Sequence, residues 1–370
     1  MKYYLIAGEA SGDLHGANLI EALKKKNVAI EIRAWGGSKM ERKGATIVKH
    51  YKELAFMGFW EVAKNLRTIL SNISFCKKDI LKFQPDALIL IDYPGFNMRI
   101  AKWAKQKKIP VHYYIMPQVW AWKENRVKKL AKDTDYRYAI LPFEVDFFQK
   151  KHSLDIDFVG HPLLDELSSR PPVDEVMFRK ELGVSNDQKI IALLPGSRKQ
   201  EIRKLLSVMN SVKDQFPDYT FVIAGTSAIE KSLYNEFAPN VPIVIDQTYA
   251  LVSSSKAALV TSGTATLETA LLKIPQVVCY KTSPLSYAIA KCIVTLSYIS
   301  LVNLIMNRLL VEELIQKKCN PKELSRALGN ILSKKGRAEV ISGYNDLIAE
   351  LGGEGASEKT ASLIHQRSHA

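Results

Sequence analysis

The feature that most constrains the fold of this chain is a regular alternation of short apolar runs with amphipathic helical patterns. In the first half, apolar runs occur at residues 3–7, 28–34, 45–48, 86–91, 110–115, 136–141 and 156–159. In the second half they recur at residues 189–194, 219–224, 241–245, 257–260 and 275–279. Continuous apolar runs separated by helices are typical of a parallel sheet covered by helices on both faces. The chain is therefore predicted to be α/β and doubly wound.

The length of the chain and one linker-like segment predict two such domains. At 370 residues the chain is too long for one ordinary hydrophobic core. Residues 168–172 read Ser-Ser-Arg-Pro-Pro, a polar, proline-containing stretch between the two sets of runs. We therefore expect a first domain at residues 1–167 and a second at 173–339, facing a cleft. Ligands of open parallel sheets bind at the carboxyl ends of strands, so the loops there are the candidate site.

The net charge and the cysteine content restrict the binding partners and the cellular compartment that we expect for this protein. The formal net charge of +14 suits acidic lipid surfaces, polyanions or phosphorylated substrates. The cations are spread through many helices without interleaved aromatic residues, so a nucleic-acid partner is not favoured. The cysteines have no metal-ligand spacing, which predicts reduced thiols in a cytosolic protein. We expect no signal peptide, and Lys291 with its polar neighbours argues against a membrane span at residues 288–306.

One loop of the second half has the features of an anion cradle. Ser262, Gly263 and Thr264 form a small polar turn between an apolar run and a helical pattern. The backbone N–H groups of such a turn and the dipole of the following helix favour a bound phosphate. Glu268, about one turn into the helix, would repel a phosphate but can accept hydrogen bonds from ribose hydroxyls. The alternative is a well-capped turn with a solvated glutamate.

A second loop of the same half adds a cation. The first apolar run of that half leads into Leu-Pro-Gly-Ser-Arg at residues 194–198, and a long helical pattern follows. Arg198, at the start of that helix, can donate two charge-assisted hydrogen bonds to a phosphate. Two phosphate-type loops in one domain favour a nucleotide ligand over a purely structural turn.

The first loop of the first half is acidic. Its glycines are spaced by four rather than as GxGxxG, which disfavours NAD. The candidate ligand-binding residues in this loop are Glu9, Ser11, Gly12 and Asp13. The two carboxylates suit hydroxyl or amine groups, with solvated surface as the alternative, and Ser11 is a natural helix N-cap.

A lone carboxylate follows the most apolar run of the first half. Asp92 comes directly after residues 86–91, where it is well placed to act as a general base on a hydroxyl. The alternative is an aspartate that organises the turn before Pro94 and Gly95. Two Asp-x-Asp sequences, at residues 133–135 and 155–157, lie near the starts of strands rather than at a ligand end. We therefore expect no metal.

A dense apolar cluster stands close to cations in one helical pattern. Its members are Phe56, Met57, Phe59 and Trp60, followed by Lys64 and Arg67. Such a pattern suits an interfacial helix or a slot for an acyl chain. For one helix alone, packing against the sheet is the stronger alternative.

These segments together resemble the lipid-A-disaccharide synthase family of inverting glycosyltransferases with the GT-B fold, over nearly the whole chain. The matching segments are residues 8–13 (Gly-Glu-Ala-Ser-Gly-Asp), 53–58, 91–94 (Ile-Asp-Tyr-Pro), 117–122 (Pro-Gln-Val-Trp-Ala-Trp), 141–144 (Leu-Pro-Phe-Glu), 160–162, 194–198 and 262–268 (Ser-Gly-Thr-Ala-Thr-Leu-Glu). Any one of these motifs is weak evidence, but so many in order are highly specific.

The resemblance implies substrates, a compartment and further positions. The implied donor is UDP-2,3-diacylglucosamine, and the implied acceptor is 2,3-diacylglucosamine 1-phosphate (lipid X). The implied products are the β-1,6-linked lipid A disaccharide 1-phosphate and UDP, formed without a cofactor. It further implies a peripheral enzyme on the cytoplasmic face of the inner membrane. The helices at 340–370 would pack back on the first domain, and Asn303 and Arg308 match family positions near the donor.

One position departs from the family pattern. Many members carry a second aspartate three residues after the one that matches Asp92, and here that position is Gly95. The departure removes a rival base and puts any two-carboxylate scheme in doubt. An inverting transfer needs one base and one electrostatic stabiliser for the departing UDP.

The sequence-based hypothesis assigns a different task to each domain. Asp92 is the base and the 8–13 loop shapes the acceptor site, whereas Arg198, the 262–264 turn and Glu268 bind UDP. The helix of residues 56–67 would meet the acyl chains and an anionic membrane surface. Two rivals stay open: a UDP-GlcNAc epimerase or transferase on a soluble sugar, and a non-catalytic UDP-sugar sensor. A homodimer also stays open.

Overall fold

The structure is a computed structural model, and it describes residues 1–54, 66–284, 287 and 296–368. The described chain divides into two compact units. The first comprises Met1–Ser168 together with Leu351–Ala370, and the second comprises Ser169–Glu350.

The first unit is built on a parallel sheet. Its strands are β1 (Lys2–Ala7), β2 (Glu31–Gly36), β3 (Thr46–His50), β4 (Ala87–Ile91), β5 (Val111–Tyr114), β6 (Tyr136–Ala139) and β7 (Asp157–Phe158). They lie in the order β3-β2-β1-β4-β5-β6-β7, and every pairing is parallel. The helices between them are α1 (Ala10–Lys26), α2 (Ser38–Arg42), α3 (Leu66–Phe83), α4 (Pro94–Gln106), α5 (Val127–Asp133), α6 (Pro142–Val145) and α7 (Pro162–Ser168).

The two central strands of this sheet, β1 and β4, are buried on both faces. Alternate residues of β1 belong to two separate apolar clusters, Tyr4 and Ile6 to one and Tyr3 and Leu5 to the other. Because successive side chains of a strand point to opposite faces, helices cover both sides of the sheet. This burial explains why the two strands read as continuous apolar runs.

The second unit has a parallel sheet whose strand order repeats the order β3-β2-β1-β4-β5-β6 of the first sheet. Its strands are β8 (Lys189–Leu194), β9 (Tyr219–Gly225), β10 (Ile243–Ile245), β11 (Ala257–Thr261), β12 (Gln276–Tyr280) and β13 (Glu312–Ile315), in the order β10-β9-β8-β11-β12-β13. Its helices are α8 (Glu175–Leu182), α9 (Lys199–Asn210), α10 (Lys231–Phe237), α11 (Thr248–Ser253), α12 (Thr264–Leu271), α13 (Leu301–Met306), α14 (Pro321–Leu332) and α15 (Lys334–Glu350). The predicted α/β class with two doubly wound sheets is confirmed.

The last helix, α16 (Ala356–Ser368), returns to the first unit. It packs against α1, and the carboxylate of Asp165 caps its start by accepting hydrogen bonds from the backbone N–H groups of Gly355 (2.6 Å) and Ser357 (2.9 Å). Near its other end, Arg367 pairs with Asp157 at 2.7 Å. A cap and an ion pair therefore fasten both ends of the helix.

One strand was missed by the sequence interpretation. β13, at the edge of the second sheet, reads Glu-Glu-Leu-Ile and pairs with β12. Edge strands often carry charged residues, and such a strand gives no continuous apolar run. Within the residues that the structure describes, no helix is both long enough and apolar enough to cross a membrane.

Candidate functional site

Both sheets have a point at which the strand order reverses, between β1 and β4 in the first unit and between β8 and β11 in the second. Parallel sheets bind ligands outside the carboxyl ends of the strands at such points. Four loops follow these strands, and they contain most of the residues predicted for the site. The topology therefore brings Glu9 close to Asp92 in one unit, and Arg198 close to Ser262 in the other.

The backbone at Asp92 is held in an unusual conformation. Asp92 and Tyr93 both have positive φ, 45° and 47°. The Asp92 carbonyl accepts hydrogen bonds from the Asn97 side-chain amide (2.7 Å) and the Tyr113 hydroxyl (2.8 Å), and its N–H donates to the Tyr114 carbonyl (3.1 Å). A left-handed conformation in a residue other than glycine costs free energy, of order 1–3 kcal/mol, and persists only where its surroundings impose it. The turn is thus fixed by its neighbours.

The β1 loop packs directly against this turn. A Cβ added to Gly8 would lie 2.3 Å from the Tyr93 ring, so only glycine fits there without a shift. Burial, with a smaller contribution from the negative charge of Glu9, raises the pKa of Asp92 to about 6, although a backbone hydrogen bond from Tyr93 opposes the shift. At neutral pH Asp92 is thus mostly ionised, and its raised pKa makes it a stronger general base than an ordinary aspartate.

The other residues of the 8–13 loop divide into exposed and buried members. Glu9 and Ser11 are exposed at the start of α1, but the prediction of Ser11 as the N-cap was wrong. The helix begins at Ala10, so Glu9 occupies the cap position and Ser11 lies inside the first turn. The first hydrogen bond of the helix runs from the Asp13 N–H to the Glu9 carbonyl, at 2.9 Å.

Gly12 and Asp13 are buried and have structural partners. A Cβ on Gly12 would lie 3.0 Å from the Ala7 Cβ, so the glycine lets α1 approach β1 closely. The Asp13 carboxylate accepts hydrogen bonds from the backbone N–H groups of Gly37 (2.7 Å) and Met40 (3.1 Å), at the start of α2. Asp13 therefore caps α2 and leaves Glu9 and Ser11 as the exposed polar members of this loop.

In the second unit, Arg198 stands at the N-cap of α9. Its guanidinium is exposed and contacts Glu201 one turn into the helix, with 3.3 Å between Nη1 and Oε1. The preceding turn requires Gly196, whose φ is +96°. An exposed ion pair of this kind is worth at most about 1 kcal/mol, so a phosphate can take over the guanidinium at little cost.

The β11 loop is an exposed turn at the start of a helix. Gly263 is the N-cap of α12, is exposed, and an added Cβ there would meet no atom within 4 Å. The first N–H groups of a helix lack partners within the helix, and here they follow an exposed turn. Ser262 donates its hydroxyl hydrogen to the Ile299 carbonyl (2.8 Å), which orients the turn. Thr264 is exposed, and Glu268 lies partly buried one turn further on.

Asn303, unlike the exposed loop residues, has a structural role inside the second unit. It is fully buried, and its side-chain NH₂ donates to the Val311 carbonyl and the Glu313 carboxylate, both at 2.8 Å. Its side-chain oxygen accepts from the backbone N–H groups of Leu310 (2.8 Å) and Val311 (2.9 Å). The amide is fully used, so Asn303 fixes the segment before β13. Arg308 lies in that segment, exposed, and pairs with Asp346 at 2.8 Å.

Two glutamates that the sequence interpretation missed hold loops of the candidate site. Glu313 accepts hydrogen bonds from Ser300 and Asn303, and thereby fixes the start of α13. Glu144 is buried, accepts from the Trp120 indole N–H (3.0 Å), and has a pKa raised to about 7 by burial. The sequence motif that could have pointed to Glu144 is Leu-Pro-Phe-Glu at residues 141–144, and none of the motifs identified in the sequence includes Glu313.

The remaining predicted residues are located as follows. Phe56, Met57, Phe59, Trp60 and Lys64 lie outside the described residues, and Arg67 is exposed near the start of α3. The Asp-x-Asp sequences lie before β6 and at the start of β7, away from the carboxyl ends of the sheet. Asp135 pairs with Lys105, and Asp157 pairs with Arg367.

Solved structures show the class of fold to which this architecture belongs. A UDP-GlcNAc 2-epimerase from Neisseria meningitidis bound to UDP-GlcNAc matches with a TM-score of 0.64 at 14% identity, over 99% of both chains. The glycotransferase of kitacinnamycin matches with a TM-score of 0.66 at 14% identity, over 99% of this chain and 98% of that one. At such identities the likeness shows the fold alone, and that fold is GT-B.

The sequence comparisons define the family within this class. The model of the family described as lipid-A-disaccharide synthetase matches residues 3–366. A lipid-A-disaccharide synthase from Syntrophus aciditrophicus (strain SB) is 38% identical over 367 residues, covering 96% of this chain and 95% of the relative. The chain belongs to the lipid-A-disaccharide synthase family, and it is a glycosyltransferase of lipid A biosynthesis.

Proposed function

We propose that this enzyme transfers the sugar of UDP-2,3-diacylglucosamine to 2,3-diacylglucosamine 1-phosphate with inversion at the anomeric carbon. The single observation that carries the proposal is the partly buried Asp92 carboxylate, on a turn with a fixed backbone at the end of β4, beside the acidic β1 loop. Family membership supports the disaccharide product, because the relatives are named for it.

The proposed reaction is a single displacement. The acceptor hydroxyl oxygen forms a bond to the anomeric carbon, and its proton moves to the Asp92 carboxylate. The bond between that carbon and the UDP oxygen breaks, and UDP leaves with the electron pair. Asp92 can then pass its proton to solvent, since the carboxyl pKa of about 6 makes ionisation favourable at neutral pH.

We assign donor binding to the second unit. Arg198 and the N-terminus of α12 would contact the diphosphate, and Glu268 would accept hydrogen bonds from the ribose hydroxyls. The negative charge that develops on UDP in the transition state is stabilised by the same groups. Asn303 and Glu313 would act as positioning residues for Arg308. The structure in complex with UDP-GlcNAc of the Neisseria meningitidis protein supports a nucleotide sugar as the ligand class of this fold.

We assign contact with an anionic membrane surface to the first unit. The apolar and basic cluster at residues 56–67 leads into α3, on which Leu70 is 55% exposed and Leu81 is 49% exposed. The formal net charge of +14 favours an anionic lipid surface. In this proposal the enzyme lies on the cytoplasmic face of the inner membrane and draws both acylated substrates from it.

The proposal is tested with the two acylated sugars and the purified enzyme. Mass spectrometry should detect the disaccharide 1-phosphate, and proton NMR of the product should show a β linkage. An α linkage would contradict single displacement. Release of UDP without a disaccharide, or turnover of UDP-GlcNAc alone, would favour hydrolysis or epimerisation, and UDP-sugar binding without any turnover would favour a sensor.

A further inference from the structure

A cation-lined cavity lies beside the turn that carries Asp92. It has a volume of about 510 Å³ and is bounded by α4, α5 and the loop after β5. Its near end is formed by Pro94 and Gly95, the residues that directly follow the Asp92–Tyr93 turn. Its volume is within the range of small-molecule sites. The cavity is part of the first unit alone.

The walls of the cavity combine an apolar interior with an excess of positive charge. Met98, Val119 and Leu130 supply apolar surface. The cations that line it are Arg99, Lys102, Arg126, Lys129 and Lys132, against one carboxylate, Asp133. Because Asp133 ends α5 and Arg126 precedes its start, the negative charge lies about two helical turns from Arg126. The five cations therefore outnumber the one carboxylate that lines the cavity.

The cations converge from two elements. Arg99 and Lys102 are one turn apart on α4, and Arg126 and Lys129 are one turn apart at and after the start of α5. Across residues 1–54, 66–284, 287 and 296–368, none of these four forms an ion pair with a carboxylate. Lys105, on α4 but outside the cavity, does pair with Asp135. Cations that converge unpaired on a cavity repel one another, and an anion relieves that repulsion.

One aromatic contact limits the movement of Arg126. Its guanidinium carbon lies 5.6 Å from the centroid of the Trp122 ring, and Arg126 is half-buried. A guanidinium held on an aromatic face loses less freedom when it binds, and it can bind a phosphate through two hydrogen bonds. This contact favours Arg126 as a hydrogen-bond donor to a phosphate.

We propose that this cavity binds the phosphate monoester of the acylated sugar acceptor, with Arg99, Arg126 and Lys129 as its specificity-determining residues. The proposal rests on the proposed function for the identity of the acceptor. The apolar walls accept the adjoining lipid-like part of the same molecule, while the cations hold the phosphate close to the turn that carries the base. The site then selects acceptors that carry a phosphate over those that do not.

The test compares a phosphorylated acceptor with its dephosphorylated form in neutral detergent micelles. The wild type should show a clearly lower KM for 2,3-diacylglucosamine 1-phosphate than for 2,3-diacylglucosamine. In the Arg99→Gln/Arg126→Gln variant, the KM for the phosphorylated acceptor should rise about 10- to 100-fold, because charge-assisted hydrogen bonds are lost. Its KM for the dephosphorylated acceptor and its kcat should stay within about twofold.

Lys129 and Lys128 provide a matched pair on one helix. Both are exposed lysines of α5, but Lys129 lines the cavity and Lys128 does not. Lys129→Gln should raise the KM for the phosphorylated acceptor about 3- to 10-fold, whereas Lys128→Gln should change it by less than about twofold. Equal changes in KM for Lys129→Gln and Lys128→Gln would show that only the net charge matters, and would overturn the site. The site would also be overturned if the Arg99→Gln/Arg126→Gln variant still preferred the phosphorylated acceptor.

Two further measurements distinguish an acceptor phosphate from a lipid headgroup as the ligand, and distinguish the cavity proposal from the proposed reaction. If the double variant keeps the acceptor preference but no longer sediments with phosphatidylglycerol vesicles, the cavity binds bilayer headgroups and the proposal fails. If the wild type forms no disaccharide, equilibrium binding of 2,3-diacylglucosamine 1-phosphate to wild type and double variant decides the matter. Loss of that binding in the variant would support the phosphate site even though the proposed reaction is wrong. Equal binding would contradict the phosphate site.

Discussion

The two sheets share one strand order but differ in chemistry at the points where that order reverses. In the first unit, the β1 and β4 loops present carboxylates on a tightly packed turn, with the Gly8 backbone against the Tyr93 ring. In the second unit, the β8 and β11 loops present an exposed arginine and an exposed helix N-terminus, with open space around Gly263. In the proposed function the same topology supports a base in one unit and an anion cradle in the other, because the loops differ.

The largest effect is expected from Asp92→Asn. The amide cannot accept the acceptor proton, so kcat should fall about 10²–10⁴-fold. Asp86→Asn is the matched control, because Asp86 is an exposed carboxylate at the opposite end of the same strand, where it accepts a hydrogen bond from Lys2 N–H. If Asp92→Asn retained wild-type turnover with its fold intact, the first unit would not supply the base.

Arg198→Ala should have the next largest effect, and it should act on the donor. Loss of a charge-assisted contact to the diphosphate should raise the KM for the UDP-sugar about 10- to 100-fold. Arg203→Ala, an exposed arginine on the same helix, serves as the control and should leave that KM near the wild-type value. A KM unchanged in both variants would remove Arg198 from the donor site.

The two loop glycines allow a direct comparison of packing. In Gly8→Ala the new Cβ would overlap the Tyr93 ring, which should destabilise the fold by about 1–3 kcal/mol. Gly263→Ala meets no neighbour and has an extended backbone, so its stability should change by less than about 0.5 kcal/mol while UDP affinity falls. Thermal unfolding of both variants with and without UDP measures the contrast, and a reversed order of the two stabilities would contradict it.

The smallest effect is a shift in pH dependence. If the carboxylate form of Asp92 is the base, as proposed, kcat/KM should fall as pH drops below about 6. The negative charge of Glu9 raises that pKa, and Glu9→Gln should therefore move the acidic limb to lower pH by less than about one unit. A limb that moves to higher pH, or a pH profile identical to the wild type, would argue against the proximity of Glu9 and Asp92.

The same raised pKa predicts a stability difference. A carboxyl whose pKa is higher in the folded than in the unfolded protein gives stability that is complete below the unfolded-state pKa. That stability is lost as pH rises through the folded-state value of about 6. Asp92→Asn, which cannot ionise, should thus be more stable than the wild type at pH 8, with little advantage at pH 4. Unfolding in urea at both pH values measures this.

Much of the fold and the exposed loop residues could be predicted from the sequence because each leaves a local signal. Buried central strands such as β4 are continuous apolar runs, and Ser262 to Glu268 is a contiguous motif. The residues that were missed act across long separations. Glu144 bonds to the Trp120 indole 24 residues away, and β13 is an edge strand that only its pairing with β12 reveals. Asn303 was predicted near the donor, but its buried amide is used within the protein.

The central claim is that the first unit supplies the base and the second binds the nucleotide. Its most direct test is a calorimetric titration of UDP into three proteins: the wild type, Asp92→Asn and Arg198→Ala. If the first unit supplies the base and the second holds the nucleotide, the Kd of Asp92→Asn should stay within about threefold of the wild type. The Kd of Arg198→Ala should rise at least about tenfold. Weaker UDP binding in Asp92→Asn, together with unchanged binding in Arg198→Ala, would contradict the assignment of base and cradle to different units.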